Sequence, residues 1–347
     1  MRAFAFDAVA IIVAVALAML RPPAEWVERH YTNGVYPALD RAARAVTDLV
    51  PFALGDALLV IVLLALVLWW FRTLQHRTGR GRRLVGLVTG TAAAVALVYL
   101  WFYGLWGLNY HRVPVAHKVI VQAGAVDQAH VDAFGNRVAR MLSANVAGAH
   151  AEEGAQADIF ASLDSTFDAA IKRLGDTDPI SRPRVKPTIF NFMLGYTGDA
   201  GFMDPWTHEV NLYSKQFFFE RPATFAHEWA HVAGFADEAE ANYVAVLTCI
   251  NSSHPLARYS GWLLVWFNLG RDVHVTERVK PQVVRDILAI ERRLRMQINP
   301  TVARAQAAAY DRYLRANRVT HGIQSYRDFV QWMAGATYDA HGLPLVR

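Results

Sequence analysis

The chain has one cysteine, Cys249, in 347 residues, which excludes an internal disulfide and any cysteine-based zinc site. It has no internal repeat and no low-complexity tract, so no repeat architecture needs considering. Charge is sparse: Asp, Glu, Lys and Arg make up 19% of the residues against 54% for hydrophobic ones. A glycine-rich phosphate loop is also missing, because "GRGRRLVG" has the wrong spacing for GxGxxG and follows no strand. No nucleotide is therefore expected. Acidic residues are absent from "RTLQHRTGRGRR", which holds Arg72, Arg77, Arg80, Arg82 and Arg83. This one dense basic run is a topology signal, so the net charge of +5 gives no support to a nucleic-acid partner.

The apolar residues are concentrated near the N-terminus. Phe52–Phe71 and Leu84–Tyr103 each run about twenty residues with only Asp56 charged, the length needed to cross the hydrocarbon of a bilayer. An earlier stretch, Ala3–Leu20, contains Asp7 and ends at "RPP". With one arginine before it and "ALAML" a poor cleavage site, it reads as a retained span rather than a signal peptide. Three transmembrane helices are expected, at about 3–20, 52–71 and 84–103. The basic loop between the last two belongs on the cytoplasmic side, which places the chain after about Asn109 on the outer face. Trp69, Trp70 and Phe71 then mark the inner interface, and Trp101, Phe102, Tyr103 and Trp106 the outer one. Two parts follow: a membrane anchor, 1–108, and an extracytoplasmic domain, 109–347.

In the second part, "WGLNYHRVPVAHK" reads as an extended tether. Val126–Val146 and Asp158–Leu174 have the three- and four-residue apolar spacing of amphipathic helices. "TIFNFML" and "HEVNLY" read as short strands, a hairpin or small sheet. Helices are expected again at Pro222–Ala233, Asp237–Ile250, Leu256–Leu269, Pro281–Gln297 and Val302–Ala316. The block "SGWLLVWFNLG" is too short to cross a bilayer and reads as a buried core helix. The fold class is mainly α, with a small sheet.

The chemistry is concentrated in "TFAHEWAHVAGFADEAEANY", Thr224–Tyr243. His227 and His231 lie one turn apart on a single helix face, so both imidazoles can reach one metal ion. Glu228 projects beside the first, suited to take a proton from a water without ligating. This is the HExxH arrangement of zinc hydrolases, in which zinc lowers the pKa of bound water to about 7 and polarises the scissile carbonyl. With 13 histidines, chance placement yields the pattern only about 0.015 times in a chain of this length. Pro222 suits a first helical turn and Gly234 the left-handed residue that ends a helix.

A catalytic zinc takes three protein ligands, and Asp237, Glu238 and Glu240 follow. Asp237 with Glu240 resembles a capping box, which leaves Glu238 as the favoured ligand. HExxHxxGxxD, with Asp237 as ligand, is the rival. Asn242, one turn after Glu238, is placed to accept a hydrogen bond from the outer nitrogen of a ligand histidine.

These residues resemble the gluzincin arrangement, a glutamate ligand followed four residues later by Asp or Asn. Together with the three spans, "WGLNYHR" and "RYSGWL", they resemble a bacterial family of uncharacterised membrane-anchored zinc peptidases. The resemblance implies a zincin-like domain, Zn2+ held by His227, His231 and Glu238, Glu228 as general base, and the cytoplasmic (inner) membrane as location, with the domain on the periplasmic side. Gluzincins place their glutamate further downstream and usually carry Asp where this chain has Asn242, so the third ligand stays open.

The expected function is a zinc metalloendopeptidase acting on a protein or peptide substrate close to the bilayer; the alternative is a non-catalytic zinc-binding sensor or scaffold. A transporter is not expected, since Asp7 and Asp56 lie near span ends and offer no midplane ion path. Glu209–Tyr213 and Thr188–Leu194 are candidate edge strands for an extended substrate, with a strand in the core as the equal alternative. Tyr326, with His321 nearby, is a candidate oxyanion donor, although its spacing does not single it out and a buried tyrosine is the favoured reading.

Overall fold

Large apolar side chains face outward along the three N-terminal helices of the candidate spans, the reverse of a soluble protein and the expected pattern where the solvent is lipid. Helices α1 (Arg2–Met19), α2 (Tyr36–Thr47), α3 (Leu54–Gln75) and α4 (Arg80–Leu105) make up this region. In the computed structural model, which describes residues 2–75, 79–120, 127–177, 182–317 and 328–347, α3 and α4 are each long and apolar enough to cross a membrane. Helix α1 supplies the third candidate, joined through a bend of 112° to the helical stretch that begins at Ala24. Asp56 sits at the start of α3, where it accepts hydrogen bonds from the Thr188 hydroxyl at 3.1 Å and the Ile189 N–H at 2.8 Å.

The rest is mainly helical: α5 (Gln128–Ala151), α6 (Gln156–Arg173), α7 (Asn191–Thr197), α8 (Arg221–Val232), α9 (Glu238–Ile250), α10 (Pro255–Asn268), α11 (Pro281–Gln297), α12 (Pro300–Ala316) and α13 (Asp328–Gly335). The helices anticipated from apolar spacing are all present. Helix α10 buries Leu256, Tyr259, Trp262, Leu263 and Val265, as a core helix does.

Two segments differ from expectation. Thr188–Leu194 is not a strand: residues 191–197 form α7, and the β-branched and aromatic residues that suggested a strand leave Ile189 and Phe192 exposed. The antiparallel hairpin is instead β1 (Gly201–Asp204) with β2 (Glu209–Leu212), Gly201 opposite Leu212. Glycine and aspartate at its ends had made β1 look like a loop. The second correction concerns the tether. "WGLNYHRVPVAHK" is not extended: a short 3-10 turn, Gly107–His111, and one helical turn, Val115–Lys118, carry Trp106, Asn109, Arg112 and Val115 into the interior.

That segment joins the two parts of the chain. Val27, Tyr31 and Tyr36 from before α3 share one hydrophobic core with Phe102 and Trp106 from the end of α4, and with Val138, Phe167, Trp229 and Tyr243 from the later helices. No break in packing falls at 108/109. The main polar ties are made at the C-terminus of α8, whose last carbonyls have no in-helix partner. Trp106 Nε1 donates to His231 O at 2.8 Å, the Tyr36 hydroxyl to Val232 O at 2.5 Å, and Arg112 to Ala233 O at 3.3 Å. Arg112 is held in turn by Asp176 at 2.5 Å and lies 4.1 Å over the Phe235 ring. Gly234, at φ 82°, then turns the chain back so that the Phe235 N–H reaches Ala230 O at 3.0 Å. An added Cβ would meet the Asn109 side chain at 2.9 Å.

Removing the Tyr36 hydroxyl leaves a buried carbonyl unsatisfied. Tyr36→Phe is expected to destabilise the protein by roughly 1–3 kcal/mol, read as a lowered unfolding midpoint in detergent; an unchanged midpoint would contradict the capping role.

Candidate metal centre

Helix α8 begins with Pro222 in its first turn and is closed off by the left-handed Gly234, two residues past Val232, so HEWAH occupies its last two turns. Helix α9 starts four residues later. Asp237 caps it, accepting from the Ala239 N–H at 2.8 Å and the Glu240 N–H at 3.4 Å. The cap brings Glu238, in the first turn, up to the imidazoles. His227 Nε2 lies 3.1 Å from His231 Nε2 and 3.1 Å from Glu238 Oε2, which is 3.4 Å from His231 Nε2.

Those edges can be tested against an ion. Zinc–ligand distances near 2.0–2.1 Å in a tetrahedron imply donor–donor separations of about 3.3 Å, and the observed triangle fits. The donor set, two imidazole nitrogens and one carboxylate oxygen, suits zinc. Among the described residues, these three form the only group of His, Cys, Asp or Glu that could hold a metal ion.

The surroundings orient each donor. His231 Nδ1 lies 2.8 Å from Phe235 O, which fixes the tautomer with its Nε2 lone pair turned to the triangle. The carbonyl group delivered by the Gly234 turn therefore does for His231 what Asn242 was expected to do. Asn242 is buried and lines the same cleft. The other oxygen of Glu238, Oε1, accepts the Tyr310 hydroxyl of α12. Burial opposes the charge on Glu238, yet the His231 and His227 rings hold its carboxyl well below the usual range. Glu240 is not at the site: it accepts from the Val115 N–H at 2.7 Å, and burial together with Asp237 pushes its carboxyl up to about 7. Asp237 and Glu240 thus do not form a reciprocal capping box, since only Asp237 caps.

Glu228 is 3% exposed, and no hydrogen bond reaches its Oε2. Burial raises its pKa to about 7 against the pull of both imidazoles. A buried carboxylate oxygen without a donor is costly, and Glu228 borders a cleft of about 970 Å³ with His227, His231 and Glu238. Strand β1 passes so close that a Cβ on Gly201 would stand 2.9 Å from Glu228 Oε1.

The hairpin register decides which strand is the edge. The Tyr213 N–H bonds Ala200 O at 2.8 Å, and the Lys186 N–H bonds Val210 O at 2.9 Å on the far side of β2. Alternation then turns the N–H and C=O groups of Gly201 and Met203 away from β2. β2, within the expected Glu209–Tyr213 candidate, is flanked on both sides; the edge is β1, whose residues line the cleft. Tyr326 and His321 lie outside the described residues. Tyr310, the Phe235 carbonyl and β1 went unrecognised in the sequence.

Compared with known proteins, residues 31–334 match a family described as "Protein of unknown function (DUF3810)". No curated protein and no solved structure matches.

The purified chain is expected to bind one zinc ion, measured by competition with a chelator. His231→Ala should abolish tight binding. Tyr310→Phe should weaken it roughly 10–100-fold through loss of the hydrogen bond that orients Glu238; equal affinity in this variant would show that the hydroxyl does not position the carboxylate.

Proposed function

The chain belongs to the DUF3810 family, a membership that brings no activity with it, and we propose that it is a membrane-anchored zinc-dependent metallopeptidase with a zincin-like site. The observation that carries this reading is the triangle of His227, His231 and Glu238 beside a buried Glu228 whose Oε2 has no donor. Zinc bound there would supply a Lewis acid that brings the pKa of water to about 7 and polarises a carbonyl oxygen.

The chain's own residues supply the remainder. Strand β1 offers the backbone groups of Gly201 and Met203 as a template on which an extended peptide adds as a further strand. Glu228 Oε2 takes a proton from the attacking water as the new C–O bond forms, and passes it to the amide nitrogen as the C–N bond breaks. Phe235 O and Tyr310 hold a histidine and the glutamate in place. By the arginine asymmetry around α3 and α4, the site lies on the extracytoplasmic side of the cytoplasmic membrane.

A zinc-binding sensor or scaffold without turnover would have no use for an unpartnered carboxylate next to its metal. Glu228→Gln, which keeps the side-chain shape, is expected to lower peptide cleavage by a factor of about 10²–10⁴ with zinc content unchanged, measured on a peptide library. Full activity in this variant would refute the base assignment, and zinc without any cleavage by the wild type would favour the sensor.

A further inference from the structure

The cleft is not enclosed by the later helices alone. One wall is α4: Val95, Val98, Tyr99 and Phe102 line the same space as His227, Glu228 and Glu238. Val95 is 64% exposed, so this wall faces outward as well as into the cleft. Helix α8 is fastened at the same end of the span, since Trp106, one turn beyond Phe102, holds His231 O. Trp206, in the turn of the β1–β2 hairpin, donates from Nε1 to Val98 O at 3.2 Å, which places the hairpin turn against the upper part of α4.

A second feature meets the cleft at Val95. A groove of about 660 Å³ runs along the seam between α3 and α4, with Trp70 and Leu74 on one side and Leu87, Val88 and Thr91 on the other. Its lining is almost wholly apolar, and Val95 belongs to both spaces. From Leu87 to Phe102 the combined path follows fifteen residues of α4, about 22 Å at the helical rise. The groove itself follows α4 from Leu87 to Val95, about 12 Å, and an apolar side-chain or acyl filling would suit it equally. The cleft into which it opens presents the unpaired N–H and C=O groups of Gly201 and Met203 on β1, which an acyl chain cannot pair and an extended polypeptide can. One occupant that fits both spaces is therefore a polypeptide with an apolar segment.

Building on the metallopeptidase reading, we propose that the substrate is a membrane-spanning protein. Its apolar segment lies in the α3–α4 groove, and its chain continues past Val95 and Val98 into the cleft, where the residues just outside the bilayer extend along β1. Specificity then depends on the anchor as much as on the sequence at the scissile bond, because a soluble peptide would lack the apolar part that fills the groove.

The test uses the full chain with Glu228→Gln in proteoliposomes, so that the probe is not consumed. The probe is a synthetic peptide with a Leu/Ala span of about twenty residues followed by a polar stretch carrying benzoylphenylalanine. The comparison peptides are the same stretch without the span and the same stretch bearing a palmitoyl chain. Photolabelling of cleft residues, mapped by mass spectrometry, is expected to be at least tenfold stronger with the spanning peptide than with either comparison. Val95→Trp, which fills the junction while keeping the helix apolar, should abolish that advantage; Val67→Trp, elsewhere on α3, should not. Equal labelling by the soluble stretch, or equal labelling by the palmitoylated one, overturns the proposal. Zinc measured in the same sample separates the two readings: bound zinc without span-dependent labelling sinks this inference alone, whereas span-dependent labelling without zinc supports the entry path and sinks the peptidase.

Discussion

The carbonyl groups that end a helix have no further turn to bond them, and burying them requires donors from elsewhere. At the end of α8 those donors are Trp106 and Tyr36, from the part of the chain that holds the apolar spans, and Arg112, from the segment that follows the last of them. The metal-binding helix is therefore fixed to the membrane region by satisfied backbone groups. Arg112 is itself buried and needs Asp176 as partner. Gly234 is the other half of the constraint: its left-handed turn brings Phe235 O to His231 Nδ1 and leads into the cap at Asp237. Anchor, metal ligands and third ligand thus follow from one chain reversal.

The electrostatics of the site point in the same direction. Two imidazoles and two carboxylates share the cleft lining with Trp106, Ala223 and Ala236, in a place where uncompensated charge is expensive. Glu238 is compensated by both histidines and by Tyr310. Glu228 feels the pull of both imidazoles against its burial but has no donor at Oε2, and it lies against Gly201 of β1 at the edge of the cleft. A buried acid with one oxygen left free suits a group whose task is to accept and release a proton. The same strand leaves backbone groups open for a peptide, so the proposed base and the proposed substrate track are adjacent.

Much of this was legible in the sequence, for identifiable reasons. HEWAH is short, specific and bounded by Pro222 and Gly234. Helical periodicity located α5 to α12 apart from the short α7, because those helices are amphipathic or continuously buried. The Asp237–Glu240 spacing of a capping box set both apart from the metal and left Glu238 free; Asp237 does cap, while Glu240 is taken up by Val115 instead. The misses came where local pattern and tertiary role diverge. "WGLNYHR" looks like a linker since its polar residues find their partners far along the chain, Asn109 with Thr32 at 2.9 Å and Arg112 with Asp176. "TIFNFML" has strand-like composition but forms α7 at the surface. Gly201–Asp204 has weak strand propensity, and its role follows from close approach to Glu228 rather than from any side chain. Nothing in the spacing of α12 could announce that Tyr310 reaches Glu238.

The central claim is that one divalent ion is held by His227, His231 and Glu238. Anomalous diffraction at the zinc edge from crystals of the full chain tests it most directly. The account predicts a single strong peak within bonding distance of His227 Nε2, His231 Nε2 and Glu238 Oε2. Zinc-loaded protein with no peak inside that triangle, or with the ion on a different set of ligands, would contradict it.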